Sequence, residues 1–309
     1  MRAVTIEDFG TVPAVNEVTQ PVPGPGEILV QVHAASLNGF DVGVVYGALK
    51  DILEHKFPIT LGKDYAGTVA AVGEGVDRAV GDRVFGVVMK PVVCDGALAE
   101  YVVVGQGYGI AAIPQGLDFE RAGALALAGT AATNILDALA PADDDTLLIA
   151  GATGGVGAYL IQLAAARGAT VIATAKPGEE STFVLDLGAT HVVDYTQDLA
   201  AQVRAITPTG VTSAVHLAGD PTQLASLVAP GGKLASTLGF AQEHAGDREI
   251  TVATVMANPE PAILERLATA VTDGTLQVPV RATYALDAAS HAFAAFTGGS
   301  LGKIVVTVA

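Results

Sequence analysis

The sequence predicts an α/β protein, a doubly wound parallel sheet inserted into a β-rich, partly open barrel. Three observations predict it. From Thr146 the chain alternates short apolar runs with helical patterns, as a parallel sheet covered by helices requires. The first section instead holds short strands punctuated by Gly and Pro turns, which reads as a small barrel. The chain closes on Gly302-Lys-Ile-Val-Val-Thr-Val308, a strand expected to return and pair with that first section. The boundaries read as 1–117 with 280–309 for the barrel, and 118–279 for the sheet domain.

In the first section Ile28-Leu-Val-Gln-Val-His-Ala34 alternates as a strand, and 68–73 and 84–88 are further apolar runs. Turn signals lie between them at Pro23-Gly-Pro-Gly26, Gly73-Glu-Gly75 and Gly81-Asp82. Residues 119–140 read as two Ala- and Leu-rich helices interrupted near Gly129-Thr130. Strands then follow at 147–150, 170–174, 191–194, 214–217, 233–237 and 250–253. Helices read at 181–187, 199–206, 223–228 and 260–273.

The central stretch is Gly151-Ala-Thr-Gly-Gly-Val-Gly157, between the buried strand Leu147–Ala150 and a helix whose Val156, Leu160, Ile161, Leu163 and Ala164 share apolar spacing. A helix N-terminus offers unpaired N–H groups and a positive dipole end, and glycines let a pyrophosphate approach the backbone. The G-x-x-G-x-x-G spacing is weak as a pattern; its position between strand and helix strengthens it.

The bulk numbers exclude several classes. A net charge of −16 opposes a nucleic-acid surface. No run reaches the ~18 uninterrupted apolar residues of a membrane span, and the N-terminus lacks a signal peptide's apolar core; a cytoplasmic protein with no membrane partner is expected. One cysteine, Cys94, allows no internal disulfide and reads as a buried, inert thiol. The six histidines are scattered, so no metal site is expected, and no nucleophile-elbow serine occurs. His216, ending a strand, reads as a packed residue rather than an acid–base catalyst.

The strand Thr170-Val-Ile-Ala-Thr174 bears on the ligand. A dinucleotide fold that prefers NAD places an acid about 20 residues after its first glycine, yet here none occurs before Glu179. That absence favours NADP(H), with Thr174 and Lys176 available to a 2′-phosphate.

A family resemblance covers nearly the whole length. It rests on Ala35-Ser-Leu-Asn-Gly-Phe-Asp41, Phe57-Pro-Ile-Thr-Leu-Gly-Lys-Asp-Tyr-Ala-Gly67, Gly81-Asp-Arg-Val-Phe-Gly86, Gly96-Ala-Leu-Ala-Glu-Tyr101, the glycine turn, Leu187-Gly-Ala189, Pro230-Gly-Gly232 and Gly302-Lys-Ile-Val305. In this order they resemble the zinc-free, zeta-crystallin-like quinone oxidoreductases of the medium-chain dehydrogenase/reductase superfamily. The resemblance implies a GroES-like barrel, a Rossmann domain and NADP(H) in the cleft between them. Asn38 and Gly62-Lys63-Asp64 stand where zinc-dependent relatives carry Cys and Gly-His-Glu. It implies that Gly154, Gly155, Val156 and Gly157 hold the pyrophosphate and that Thr130 lies beside the nicotinamide. Thr174, Lys176 and Tyr195 would surround the adenosine phosphate; Leu217, Leu238 and Gly239 would line the ribose–nicotinamide half; Lys303 and Asn38 would approach from the barrel. Two positions depart from the family pattern: Glu180 stands at a commonly basic place, and Val45-Tyr46 replace an Arg before Gly47.

Hydride transfer to a quinone leaves negative charge on oxygen, which hydrogen-bond donors must meet. Asn38, Tyr46 and Lys63 are the candidate catalytic residues, with Tyr65 more readily read as core. NADPH:quinone reduction is the first expectation. Reduction of the C=C bond of an enal or enone, and a non-enzymatic NADPH-binding protein, are the alternatives; a zinc alcohol dehydrogenase fits least. Pairing through the edge strand near 250–253 would make a homodimer.

Overall fold

The computed structural model describes residues 1–143, 145–299 and 301–308. The chain forms two compact units: Met1–Thr130 with the chain from Pro259 onward, and Ala131–Asn258.

The first unit is the β-rich one. A seven-stranded sheet runs in the order Ile110–Ala112, Arg83–Val87, Asp64–Val72, Glu27–Ser36, Lys303–Thr307, Val280–Ala285, and Tyr101–Gly105 also pairs with Glu27–Ser36. A second sheet holds Ala14–Glu17, Arg2–Ile6 and Ile59–Thr60. Both sheets give side chains to one core that includes Val4, Ile6, Ile28, Val30, Val69, Val84, Val102, Ile304 and Val306. Most of these strands are buried on consecutive residues, as Arg83–Val87, Tyr101–Gly105 and Lys303–Thr307 are, so both of their faces are covered; only Val280–Ala285 alternates between half-buried and exposed positions. The terminal strand returns as expected, antiparallel, with Val305 opposite Ser36 and Val306 opposite Ala35. The strand Val280–Ala285 and the helix Ala289–Thr297 were not legible in the sequence. Both are Ala-rich, and alanine marks neither period.

The second unit is a six-stranded, wholly parallel sheet in the order His191–Val193, Thr170–Thr174, Thr146–Ala150, Val211–His216, Val228–Ser236, Thr251–Thr254. Order reverses at Thr146–Ala150, the switch point where such sheets bind ligands at their carboxyl ends. The helix expected at 223–228 is shorter, Pro221–Ala225, and Val228 already opens the next strand.

Two expectations need correction. Residues 119–140 form one helix, Phe119–Leu139, because Gly129 packs close to Leu267 and introduces no break. By length and composition this helix could cross a membrane, but 78% of its most apolar window is buried inside the protein. The expected boundaries at 117/118 and 279/280 also differ from the division at Thr130 and Pro259. Ala124 packs with Ala34 and Val305, Phe119 and Val278 pack against them, and Gly109 N–H donates to Pro259 O, which ties both border segments to the β-rich unit.

Candidate functional site

The glycine turn has the geometry of an anion cradle. Gly151, at φ +84°, leads the chain out of its strand, and Gly154, at φ −75° and ψ 174°, caps the helix Gly155–Ala165. The first N–H groups of a helix have no partner within it. A Cβ on Gly154 would meet only Gly151 O, at 3.6 Å, so nothing obstructs the approach to these donors. Gly157 has the opposite surroundings: a Cβ there would stand 2.5 Å from Gly151 O. It lets the helix lie directly on the turn.

Beside this turn the strand Thr170–Thr174 ends. Thr174 is buried, and its hydroxyl accepts from Gly151 N–H at 3.1 Å. It therefore orders the glycine turn from within, and this bond uses its oxygen as acceptor only. Lys176 and Tyr195 do come together at the strand ends, the ammonium 5.6 Å from the ring centroid. Glu180 joins them, accepting from Lys176 N–H at 2.9 Å and from Tyr195 OH at 3.3 Å, with Lys176 Nζ 3.4 Å away.

On the far side of the switch point His216 is buried. Its Nε2 lies 3.2 Å from Gly219 O, which only accepts, so Nε2 carries the proton and Nδ1 accepts from Ser236 OH at 2.9 Å. Burial lowers its pKa, in keeping with this neutral form. Ser236 Oγ in turn accepts from Leu238 N and Phe240 N at 3.1 and 3.3 Å. His216 is thus a packed residue that shapes the loop of Leu238 and Gly239, and these two line an open hollow with Pro221, Thr222, Phe240 and His244. Leu217 follows on the neighbouring strand end, its N–H donating to Ala150 O.

In the β-rich unit the expected catalytic trio is not brought together. Asn38, Asp64 and Lys303 form a buried network. Asn38 Nδ2 donates to Ser36 O at 3.2 Å and to Asp64 Oδ2 at 2.9 Å, while Lys303 Nζ donates to Asn38 Oδ1 at 2.6 Å and Leu37 O at 3.2 Å and lies 3.4 Å from Asp64 Oδ2. Both N–H groups of the Asn38 amide are committed inside the protein, as are those of Lys303. Neither presents a donor to a ligand, which corrects both assignments; they position the segment they hold. Lys63 is different. Its ammonium lies 4.8 Å from the Phe40 ring centroid and donates to Val88 O, in a cavity lined also by Asp41, Leu61, Lys90 and Asp95. Burial lowers its pKa. Tyr46 lies 68% exposed with Val42, Val45, Pro13 and Phe293 in another hollow, so it and Lys63 line separate cavities on the helix Gly39–Val45. Tyr65 is core, donating to Gly109 O. Cys94 is half-buried, not fully, and burial raises its pKa.

Asp41 was missed, although an acid three residues after Asn38 and ahead of an apolar run is a helix-start signal. Its buried carboxylate accepts from Asn38 N–H at 2.9 Å and Gly62 N–H at 3.1 Å. Thr130 keeps its candidacy: its hydroxyl is buried without a hydrogen-bond partner, an orphan that the polar edge of a bound group would satisfy.

Two family models match the chain, Alcohol dehydrogenase GroES-like domain over residues 24–115 and Zinc-binding dehydrogenase over 155–267. A quinone oxidoreductase from Coxiella burnetii has a similar structure over 100% of this chain and 99% of its own, with a TM-score of 0.91 and 28% identity. The chain belongs to the quinone oxidoreductase branch of the medium-chain dehydrogenase/reductase superfamily. Quinone-oxidoreductase QR1, chloroplastic, of Triphysaria versicolor is 29% identical over 99% of this chain and 98% of its own length. A mycobacterial protein solved in complex with NADPH gives a TM-score of 0.88 at 26% identity, covering 99% of this chain and 100% of its own. A mycocerosic acid synthase-like polyketide synthase of Mycolicibacterium smegmatis is 32% identical over 93% of this chain, which spans 14% of that synthase's length.

A nicotinamide cofactor fits the residues present in the second unit: an unobstructed glycine cradle, with Lys176 and Tyr195 at the adjoining strand end. A zinc ion does not. Among the described residues no three His, Cys, Asp or Glu side chains converge as ligands, and Asn38 and Lys63 are hydrogen-bond donors to the protein.

Asp41 makes stability pH-dependent in this family member. Burial is the main cause that pushes its pKa from 3.8 up to about 7, with Asp64 adding to it. A folded-state pKa above the unfolded one contributes stability in full below about 4, lost as pH rises through about 7. Between pH 5.5 and 8.5 the loss amounts to about 2 kcal/mol at 1.36 kcal/mol per unit. Asp41→Asn will be less stable at both values, but its deficit against wild type will shrink by that amount at pH 8.5 in urea titrations. A constant deficit would disprove the assignment.

Proposed function

We propose that the protein is an NADPH-dependent reductase that delivers hydride to a quinone without zinc. The observation that carries this reading is the open helix N-terminus at Gly154–Gly157, next to a strand end that presents Lys176 and Tyr195. The relatives named quinone oxidoreductases and the NADPH complex support the same reading.

When bound, the cofactor supplies the hydride. The backbone N–H groups of Gly155, Val156 and Gly157 hold its pyrophosphate, helped by the helix dipole. Lys176 and Tyr195 meet the adenosine end; Leu217, Leu238 and Gly239 flank the ribose half, their loop held by the His216–Ser236 pair. A quinone that accepts hydride gains negative charge on oxygen. Lys63, a cation in a cavity partly shielded from water, is the group suited to meet that charge. Water then protonates the quinol oxygen.

The likeness to polyketide synthases favours a second reading, reduction of a C=C bond conjugated to a carbonyl. There Cα must receive a proton, and the lowered pKa of Lys63 suits it as the donor. One panel separates the readings: NADPH and NADH oxidation with quinones and with enals, for wild type and Lys63→Met. Quinone turnover driven by NADPH is expected, and Lys63→Met will slow it about tenfold or more. Loss of enal turnover alone in the variant would select the second reading. NADPH binding without turnover of either class would leave a binding protein.

A further inference from the structure

We propose that the Glu180 carboxylate is a built-in occupant of the 2′-phosphate seat and sets the affinity for NADP(H); this rests on the reading that the chain binds that cofactor. The seat is complete within one unit. Thr174, through Gly151 N–H, fixes the strand end against the glycine turn. Two residues on, Lys176 projects over the Tyr195 ring. Glu180, in the first turn of the helix Glu179–Asp186, enters between them. One oxygen lies 3.4 Å from Lys176 Nζ and accepts from Tyr195 OH at 3.3 Å; the other accepts from Lys176 N–H at 2.9 Å.

These groups are an ammonium, a phenol and a backbone N–H, the donors a phosphate would use. With Glu180 in place, Lys176 is neutralised and an incoming dianion meets a local charge of zero beside a carboxylate. A ligand without the 2′-phosphate brings no second anion to this place and feels little of the conflict. NADP(H) therefore displaces Glu180, and its affinity stands below what Lys176 and Tyr195 alone would give. The carboxylate narrows the margin between NADP(H) and NAD(H) without reversing it.

The test uses the full chain and two fragments of the adenosine half, adenosine 2′,5′-bisphosphate and 5′-AMP, in isothermal titration calorimetry. Glu180→Gln is expected to tighten the bisphosphate about tenfold, or about 1.4 kcal/mol, and to leave 5′-AMP within about twofold. Lys176→Met in the Glu180→Gln background will return the bisphosphate to wild-type affinity or weaker. Thermal melting of each variant checks the fold. Equal change for both ligands, or none for either, overturns the proposal. Weaker 5′-AMP binding in Glu180→Gln also overturns it, since Glu180 would then hold a ribose hydroxyl. If 5′-AMP binds and the bisphosphate binds to neither wild type nor variant, the NADP(H) reading itself fails.

Discussion

On the proposed reading, replacing Gly154 with alanine will weaken NADPH binding at least about tenfold and leave the fold intact, whereas Gly157→Ala will damage both. At Gly154 the backbone is ordinary, φ −75° and ψ 174°, and the new methyl finds no atom closer than Gly151 O at 3.6 Å. The protein tolerates it at about 1 kcal/mol or less, the usual difference between a glycine and an alanine helix cap. A phosphate does not, because the methyl occupies the space through which an anion reaches the first N–H groups of the helix. Losing those contacts should weaken NADPH at least about tenfold, since charge-assisted hydrogen bonds contribute roughly 1.5–3 kcal/mol each.

At Gly157 the methyl would stand 2.5 Å from Gly151 O and 2.6 Å from Ala152 Cα, both backbone atoms. Neither can rotate away, so the helix must lift off the turn. Overpacking of this kind costs roughly 1–3 kcal/mol or more, and the lifted helix no longer aims its N–H groups. The chain has no Trp, so NADPH fluorescence on binding is read without energy transfer from indole, and urea titrations by circular dichroism report stability. Wild-type NADPH affinity in Gly154→Ala would remove the cradle from the site.

What was legible in the sequence is what local spacing can encode. The strand, glycine turn and helix at 146–166 lie on contiguous residues, and each step follows from apolar period and turn chemistry. The terminal strand was legible for the same reason, its apolar run after Gly302 having few alternatives. Side-chain roles were not, because direction and distant partners decide them. Asn38 and Tyr46 stand at the two ends of one short helix, yet the first is locked in a buried network and the second lines an exposed hollow, and Thr174 points inward to Gly151. Lys303 meets Asn38 from 265 residues away. Nothing in either local stretch announces that contact.

That last contact supports the largest expected loss of stability. Asp64 and Lys303 are both buried, with Asp64 accepting from Ser36 Oγ at 2.6 Å, Asn38 Nδ2 at 2.9 Å and Leu127 N–H at 2.7 Å. Lys303 starts the strand that pairs with Ala34, Ala35 and Ser36, so the ion pair closes one end of that ladder. Lys303→Met keeps the length of the side chain but strands a buried carboxylate, and Asp64→Asn strands a buried ammonium while turning an amide donor toward other donors. Breaking one side of a buried pair costs roughly 3–5 kcal/mol. Each single variant should lose that much, and the double variant should lose less than the sum by about 2 kcal/mol or more, because it leaves no uncompensated charge. Four denaturant titrations complete the cycle. Losses that add to within about 0.5 kcal/mol would mean the two groups act independently. Binding of 5′-AMP supplies the second readout: the seat proposed for it, beside Lys176 and Tyr195, lies in the other unit, so its affinity should hold in Lys303→Met while turnover of the proposed quinone substrate falls. Freed from Lys303, the Asn38 amide loses its fixed orientation, and the helix start at Gly39, with Asp41 behind it, loosens beside the Lys63 cavity.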